Sequence, residues 1–339
     1  MKSLREEYFN PSFSHIYVEK SVRGHVRAQK ILEKFPTAEV IEINHYKDVF
    51  CRSRQNHMLQ HRSQKLILAA RSGTLLYRGA PVCQDFGNQF FYYTSCVMNC
   101  IFDCEYCYLK GMYPSANIVI FVNLEDIFAE VEKILQEHPL YLCVSYDTDL
   151  LALEGITGYV REWCAFAEKH ENLKLEIRTK CANRFFACGV RPIPNVIYAF
   201  TLSPQAVIEN CEHRTPPLTE RLSCAADLIG AGCPVRLCFD PMIYIPGWRQ
   251  HYAEMLEQVY QTIDLEKIVD VSVGTFRVSQ EYLKNMRRQE PDSAVVWFPF
   301  QSEGGYCHYP DELMEQMEGF LTEKLTEKIS GEKIFRWKG

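Results

Sequence analysis

Segments that predict β-strands alternate with segments that predict amphipathic helices from residue 89 to residue 274. The strand segments are rich in aromatic and β-branched residues and cover 89–95, 140–146, 173–179, 195–203, 234–240 and 268–274. The helical segments begin at 124, after the predicted N-cap Asn123, and near 156, 182, 218 and 250. Successive strand–helix units predict parallel strands joined by right-handed crossovers. We therefore predict an α/β fold, an open partial (β/α)6 barrel of TIM type.

Smaller units are predicted on either side of this repeat. Residues 1–85 predict a small N-terminal α/β unit, with strands in "HIYVEKS" and "AEVIEIN" around a helix in "RGHVRAQKILEKF". The barrel is assigned to residues 86–290. Residues 291–339 predict a C-terminal β-hairpin with a Gly-Gly turn in "AVVWFPFQSEGGYCHYP", then an amphipathic helix over 310–326.

Composition narrows the class of protein. The chain has 339 residues, of which 47% are hydrophobic and 24% charged, values typical of soluble globular proteins. There is no run of 18 uncharged apolar residues, and "MKSLREEYFN" has no apolar leader, so we expect a cytoplasmic protein without a membrane segment. The odd number of cysteines, 15, predicts reduced thiols or metal ligands rather than a disulfide framework.

Charge is distributed unevenly along the chain. The net charge is −6, yet residues 1–80 hold 14 Lys and Arg against 7 Asp and Glu. Within them, "CRSRQNHMLQHRSQK" places Arg52, Arg54, Arg62 and Lys65 among polar residues. This stretch predicts either a face that contacts nucleic-acid phosphates or an ordinary solvated helix surface.

Three cysteines share one loop in "SCVMNCIFDCEYCYLKG", at Cys-x3-Cys-x2-Cys spacing: Cys100, Cys104 and Cys107. Three thiolates can hold a compact metal centre but leave one tetrahedral position open. A zinc site would need a second cysteine or histidine pair, which the remaining cysteines do not supply. A [4Fe-4S] cluster with one open iron fits better. Cys96 is a conceivable fourth ligand, but a buried core residue is the stronger interpretation.

Polar residues follow the predicted strands at their carboxyl ends. They are Asp147, Thr148 and Asp149, Thr179 and Lys180, Ser203, Asp240, and Thr275 and Arg277. The carboxyl ends of parallel strands lie at one edge of a sheet, where sites in such folds are built. Helix capping is the alternative role for Asp149 and Ser203, and solvent exposure the alternative for Lys180.

The cysteine loop, with Tyr106 just before its last cysteine, resembles the radical S-adenosylmethionine (SAM) superfamily. Over most of its length the chain is similar to one family within it, the spore photoproduct lyases. The resemblance is carried by "CEYCYL", "FVNLEDIFAEV", "RTKCANRFF", "TLSPQAVIENCEHRTPP", "RLSCAADLIGAGCPVRL", "DPMIYIPGW" and "TFR", and by "HIYVEKS" and "LILAARSGTLLYRGA" near the start.

This resemblance implies a reaction and its participants. SAM would chelate the open iron, and one electron from a small flavodoxin- or ferredoxin-type protein would release a 5′-deoxyadenosyl radical. That radical would take the C6 hydrogen of 5-thyminyl-5,6-dihydrothymine in DNA, and the lesion would revert to two thymines. Tyr106 and Tyr108 match a radical-relay pair, for which packing under the cluster is the alternative. The SAM contacts would be Thr148, Asp149, Lys180, Ser203 and Asp240, and we expect a monomer.

The chain departs from the family at the hydrogen donor. Where the family has Cys-Thr-Ser-Asp, this sequence has "YDTD", so Tyr146 stands at the donor position. Cys143 lies three residues earlier, and strand alternation would place it on the face opposite to Tyr146. Cys307, in the predicted hairpin, is a third candidate donor. Because of this departure, another nucleic-acid lesion or an unknown substrate is an alternative, and a non-catalytic metal-stabilised nucleic-acid-binding module is a second one.

Overall fold

The computed structural model describes residues 12–80 and 82–337. The strands are β1 His15–Glu19, β2 Glu39–Ile43, β3 Leu66–Ala69, β4 Tyr77–Arg78, β5 Phe91–Tyr93, β6 Val97–Met98, β7 Asp103–Cys104, β8 Ile118–Phe121, β9 Leu140–Cys143, β10 Leu173–Thr179, β11 Val196–Thr201, β12 Glu212–His213, β13 Val235–Met242, β14 Val271–Thr275, β15 Arg277–Ser279, β16 Gln301–Glu303, β17 Tyr306–His308 and β18 Ile334–Arg336. The α-helices are α1 Val26–Glu33, α2 Lys47–Phe50, α3 His57–Arg62, α4 Leu109–Met112, α5 Leu124–Leu135, α6 Glu154–Thr157, α7 Tyr159–Ala167, α8 Arg184–Gly189, α9 Gln205–Cys211, α10 Leu218–Gly230, α11 Trp248–Thr262, α12 Gln280–Gln289 and α13 Asp311–Thr326.

The central sheet is a curled half-barrel with the strand order β18-β14-β13-β11-β10-β9-β5-β4. The predicted barrel strands are β5, β9, β10, β11, β13 and β14, and they neighbour one another in chain order with parallel pairing. The predicted α/β partial barrel is therefore confirmed. Edge strands β4 and β18 extend the sheet, β4 antiparallel to β5 and β18 parallel to β14.

The burial of strand β9 explains why its sequence is a continuous apolar run. All four of its residues are buried, because helices cover one face of the sheet and barrel-interior side chains cover the other. Helix α5 packs its apolar stripe against the sheet through Leu124, Ile127 and Val131. Asn123 is the N-cap residue, as predicted, but its side chain makes no cap hydrogen bond and instead exchanges hydrogen bonds with the backbone of Arg71, at 2.7 and 2.9 Å.

A second sheet packs beside the barrel, with the strand order β2-β1-β3-β8-β6. Its first three strands come from the predicted N-terminal unit, but β6 and β8 flank the cysteine loop. The loop is thus anchored in a sheet to which both sides of residue 85 contribute. The division of the chain at 85 and 290 stays a prediction.

The chain after β14 builds an antiparallel sheet of order β15-β17-β16. Strands β16 and β17 form the hairpin, and Gly304 and Gly305 make its turn with φ angles of +55° and +87°, which favour glycine. Helix α13 follows. Among the helices of the described residues, none combines the length and the apolarity that crossing a lipid bilayer requires.

Charged side chains fill part of the barrel interior. Glu176 of β10 accepts a hydrogen bond from Tyr141 at 2.5 Å and pairs with Arg236 at 2.5 Å and Arg178 at 3.1 Å. Arg236 also pairs with Asp270, at 2.7 Å between Nη2 and Oδ2. Burial alone would raise the pKa of Glu176, but the two guanidinium groups lower it from its ordinary value of 4.5 to about 2.

Substituting Glu176→Gln is expected to destabilise the protein at pH 7 by about 3–5 kcal/mol, because the buried Arg236 and the partly buried Arg178 lose a counterion. Since the folded pKa is depressed, the stabilisation by the carboxylate is complete above pH 4.5 and is lost as the pH falls toward 2. Urea unfolding of both proteins at pH 7 and pH 3 measures this difference. A gap between them that does not narrow at pH 3 would contradict the ion-pair explanation.

Candidate active site

The cysteine loop lies between the two sheets, at the carboxyl end of the first barrel strand. Its middle forms β7, which pairs antiparallel with β12, so that Cys104 lies opposite Glu212. The Cys107 amide donates to the Cys104 carbonyl at 3.1 Å, and α4 begins two residues later. Gln64 holds the start of the loop by donating to the Cys100 carbonyl at 3.0 Å. The loop is therefore a fixed element with its three cysteines in one short turn.

The donor set fits an iron–sulfur cluster. Burial raises the pKa of Cys104 to about 12, and burial and then the charges of Asp149, Cys107 and Cys104 raise that of Cys100, so the three thiols influence one another. In the described part of the chain no group of three His, Cys, Asp or Glu side chains is set to hold a single metal ion. Three soft thiols in one loop, with a position left for a further ligand, suit an iron–sulfur cluster.

Cys96 lies apart from this turn. It is fully buried, and its Sγ lies 3.9 Å from the Val144 carbonyl oxygen. It fills space in the core between the sheet and α7.

The two loop tyrosines point to different strand ends. Tyr106 is 5% exposed and donates to Glu212, whose Oε1 also accepts from Ser203 at 2.7 Å. Arg221, fully buried, pairs with the other oxygen of Glu212 at 2.5 Å. Lys180 Nζ lies 5.2 Å from the Tyr106 ring centre. Burial and then Glu212 raise the pKa of Tyr106, so the phenol stays neutral.

Tyr108 instead reaches the donor position. Its Oη donates to the backbone carbonyl of Tyr146 at 2.5 Å. Burial and then Asp147 raise the pKa of Tyr108, so this phenol is neutral too. The structure therefore brings Tyr108, rather than Tyr106, to the end of β9.

Tyr146 and Cys143 lie in one cluster, which corrects the expectation from strand alternation. Strand β9 ends at Cys143, so the period of two does not extend to Tyr146. The Tyr146 ring stacks on Tyr93 with centres 5.4 Å apart. The Cys143 thiol is 1% exposed and donates to Glu176 at 3.5 Å. Burial and then Glu176 raise the pKa of Cys143, and a hydrogen bond with Tyr146 opposes part of that rise.

Cys83 is a functional candidate that sequence reasoning missed. It packs against the same cluster, and burial raises its pKa while a hydrogen bond with Tyr146 lowers it. Its sequence context, "PVCQDFG", is an ordinary loop and carries no signal for this contact. Cys307 lies elsewhere: its Sγ is 3.3 Å from the Ser302 hydroxyl in the hairpin, and both residues line a groove beside α12.

The predicted SAM contacts fall into two groups. Thr148 has a buried hydroxyl without a partner among the described residues, and Lys180 faces Cys104 and Glu212. Asp149 is already engaged: it accepts from the Lys180 amide at 2.6 Å, from Thr179 at 2.7 Å and from the Ala152 amide at 3.0 Å.

Asp240 is also engaged, by both guanidinium nitrogens of Arg277, at 3.0 and 3.1 Å. Glu212 and Asp147 are further buried site carboxylates. Asp147 accepts from Ser95 and from Tyr113, the latter at 2.9 Å. Glu212 follows a helix whose sequence pattern does not predict a functional residue. Sequence analysis therefore did not identify Glu212 as part of the site.

Comparison with known proteins identifies relatives of this chain. A family model described as spore photoproduct lyase matches residues 13–292. The spore photoproduct lyase of Geobacillus sp. (strain Y412MC61) is 22% identical over 273 residues, covering 78% of this chain and 77% of that protein. That of Clostridium acetobutylicum is 22% identical over 242 residues, covering 66% and 70%.

Solved structures share the fold. A spore photoproduct lyase complexed with dinucleoside spore photoproduct superposes with a TM-score of 0.80 at 17% identity, over 96% of this chain and 98% of that one. A mutant of the enzyme with bound AdoMet and the same dinucleoside gives 0.81 at 18% identity, with the same coverage.

A half-barrel whose first strand leads into a Cys-x3-Cys-x2-Cys loop, in a chain that the family model matches, places the protein in the class of radical SAM enzymes. The family match extends over most of the described chain and includes the loop, the strand ends and the second sheet. The chain belongs to the spore photoproduct lyase family.

Proposed function

We propose that this protein reverses the spore photoproduct, 5-thyminyl-5,6-dihydrothymine, to two thymines in DNA. Cys100, Cys104 and Cys107 would hold a [4Fe-4S] cluster, and the residues at the strand ends would hold SAM beside it. When bound, the two cofactors supply a 5′-deoxyadenosyl radical that takes the C6 hydrogen of the lesion. The observation that carries the proposal is the contact between Tyr108 of the cysteine loop and Tyr146 at the donor position.

The residues at the strand ends orient SAM. Thr148 offers a buried hydroxyl whose hydrogen-bonding capacity is unused in the described structure, and Lys180 places a positive charge beside the loop. Ser203 is held by Glu212. Asp149 and Asp240 are the remaining residues assigned to SAM binding. Asp149 accepts a hydrogen bond from the Lys180 amide and so fixes the backbone there. Asp240 forms an ion pair with Arg277.

Hydrogen return to the thymine-derived radical is assigned to Tyr146. Its O–H bond breaks as the new C–H bond forms, which leaves a tyrosyl radical and a closed-shell thymine. Cys143 is less exposed than Tyr146 and packs in the same cluster, so Tyr146 rather than Cys143 is assigned to face the lesion. Tyr108, which donates a hydrogen bond to the Tyr146 carbonyl, connects the donor position to the cysteine loop. Tyr106 completes the assigned relay from its place beside Lys180.

One observation favours a second candidate function. A phenol gives up hydrogen to a carbon radical less readily than a thiol, and the cysteine nearest to Tyr146 in sequence, Cys143, is buried under the site. A spore photoproduct lyase-like radical SAM enzyme with another nucleic-acid lesion or an unknown substrate is therefore the alternative.

DNA is the proposed partner, and a cationic groove beside the hairpin is suited to it. The groove encloses about 410 Å³ and is lined by Lys284, Arg287, Arg288, Trp297 and four other residues of α12 and the hairpin. Trp297 is 53% exposed, and the Arg287 guanidinium lies 5.1 Å from its ring centre. Cations with an exposed aromatic ring favour phosphates and a stacked base. The predicted basic face keeps Arg52, Arg54 and Arg62 exposed.

The double substitution Lys284→Ala and Arg288→Ala is expected to weaken binding of a lesion-containing oligonucleotide. The slope of log affinity against log salt should flatten by about 1 for each phosphate that the variant no longer neutralises. Fluorescence anisotropy over a salt series measures both quantities. Lys169→Ala, an exposed cation at the end of α7, is the matched control and should leave the slope unchanged. An unchanged slope in the double variant would remove the groove from the DNA-binding surface.

Anaerobic reconstitution with iron and sulfide tests the proposed chemistry. We expect brown visible absorption and, after reduction, cleavage of SAM to methionine and 5′-deoxyadenosine. A structural zinc site would give neither the absorption nor the cleavage of SAM. That result would favour the alternative of a non-catalytic, metal-stabilised nucleic-acid-binding module. The proposal includes a small flavodoxin- or ferredoxin-type electron donor, a monomeric protein and a cytoplasmic location.

A further inference from the structure

Helix α3 and the cysteine loop together line a small, partly open cavity of about 10 Å³. The cavity is lined by His57, His61, Asn99, Cys100, Phe102, Cys107, Leu109 and Lys110. Two of the three cysteines that we assign to the cluster therefore line the same cavity as two histidines. The mechanism proposed above gives these histidines no role.

Both imidazoles are buried with a nitrogen that has no partner. His57 is 2% exposed and His61 is 7% exposed, and the unpartnered atoms in the described structure are His57 Nε2 and His61 Nδ1. Leaving such an atom unsatisfied in a protein interior costs about 1–3 kcal/mol. Most buried polar atoms have a partner, so these two indicate a group that completes the cavity.

The two rings differ in what they can offer. His61 Nε2 lies 3.6 Å from an Asp103 carboxylate oxygen, which also pairs with Lys110 at 2.6 Å. The tautomer that this carboxylate favours carries its proton on Nε2, so His61 Nδ1 is an acceptor. No carboxylate of the described residues pairs with His57 in this way, so its Nε2 is free to carry a hydrogen. His57 is the donor of the pair.

The lining leaves few acceptors for that donor. Asn99 donates its amide hydrogens to the carbonyls of Ser115 and Asn117, at 2.6 and 2.8 Å, so its Oδ1 and His61 Nδ1 are the neutral side-chain acceptors of the lining. Phe102 and Leu109 are apolar, and the Lys110 ammonium can only donate. Cysteine sulfur, once bound to iron as thiolate, is the charged acceptor in the lining.

We propose that His57 donates an Nε2–H hydrogen bond to a cluster sulfur at the edge formed by Cys100 and Cys107, and that this bond raises the reduction potential of the cluster. This inference rests on the proposed cluster assignment. Hydrogen bonds to the sulfurs are one of the means by which proteins set such potentials, because they stabilise the more negative, reduced form. His61 is a positioning residue: its ring packs on His57 with centres 4.9 Å apart, one helical turn away.

A redox titration of the reconstituted protein without substrate tests the hydrogen bond. In His57→Phe we expect the ratio of reduced to oxidised cluster, at a fixed applied potential, to fall about tenfold, a shift of about 59 mV for one electron. The Gln amide keeps an N–H donor, so His57→Gln should recover much of the wild-type ratio. The matched control is His251→Phe, a partly exposed histidine of α11 whose nearest carboxylate is that of Glu254, and it should leave the ratio unchanged.

Spectroscopy on the unsubstituted protein gives an independent result. With ¹⁵N-labelled histidine, the reduced cluster should show a weak ¹⁵N coupling that His57→Phe removes. A normal cluster that cleaves SAM, with equal ratios in all variants and no ¹⁵N coupling, would overturn the inference while leaving the proposed function intact; a water molecule in the cavity would then be the partner. Failure of the wild-type protein to assemble any cluster would overturn both.

Discussion

Cys104→Ala is expected to abolish the brown absorption of the reconstituted protein and to reduce SAM cleavage to background. Three thiolates are the smallest set that holds a cluster and leaves one iron open, so the loss of one leaves no stable site. Cys104 is chosen because its backbone pairs with Glu212 in β7 and β12, and the substitution leaves that pairing in place. Iron and sulfide content, visible absorption and 5′-deoxyadenosine formation measure the effect.

Cys96→Ala is the matched control in the same stretch of sequence. Cys96 is fully buried in the core, so we expect normal iron content and activity with a stability loss of about 1–2 kcal/mol from the small cavity created. Loss of the cluster in the Cys96 variant together with its retention in Cys104→Ala would show that the ligand assignment is wrong.

Tyr146→Phe is expected to lower thymine formation by at least about tenfold, which corresponds to about 1.4 kcal/mol of barrier. The substitution removes the O–H group but keeps the ring that stacks on Tyr93. Cleavage of SAM should continue without matching repair, because radical formation precedes hydrogen return. The ratio of thymine to 5′-deoxyadenosine, with a search for abortive adducts, is the measurement.

The neighbouring thiols provide comparison variants for this result. Cys143→Ala and Cys83→Ala should slow repeated turnover less than Tyr146→Phe slows it, since both thiols hydrogen-bond Tyr146 but neither stands at the donor position. Unchanged thymine yield in Tyr146→Phe, combined with a large loss in Cys307→Ala, would move the donor to the hairpin and contradict our assignment.

The barrel was predictable because its signals are local and repeated. Most of its strands are largely buried runs bounded by turn residues, and amphipathic helices lie between them, so order and direction follow from chain connectivity. The second sheet was only partly predictable. Strands β6 and β8 are two and four residues long; β8 pairs with β3 and β6 pairs with β8, and the first of these pairings joins distant segments of the chain.

The candidate site, too, was only partly predictable from the sequence. The spacing of Cys100, Cys104 and Cys107 is a sequence pattern, but the direction of a side chain is decided by tertiary contacts. Alternation placed Cys143 and Tyr146 on opposite faces because it could not show that the strand ends at Cys143. The contacts of Cys83 with Tyr146 join segments more than sixty positions apart, and no local pattern encodes such a contact.

The most direct test of the proposed repair reaction uses the dinucleoside spore photoproduct with deuterium at C6. With reduced, reconstituted protein and SAM, we expect two thymine units to form and deuterium to appear in 5′-deoxyadenosine. Unlabelled 5′-deoxyadenosine without thymine would show that the radical does not act on this lesion, and would contradict the proposed function.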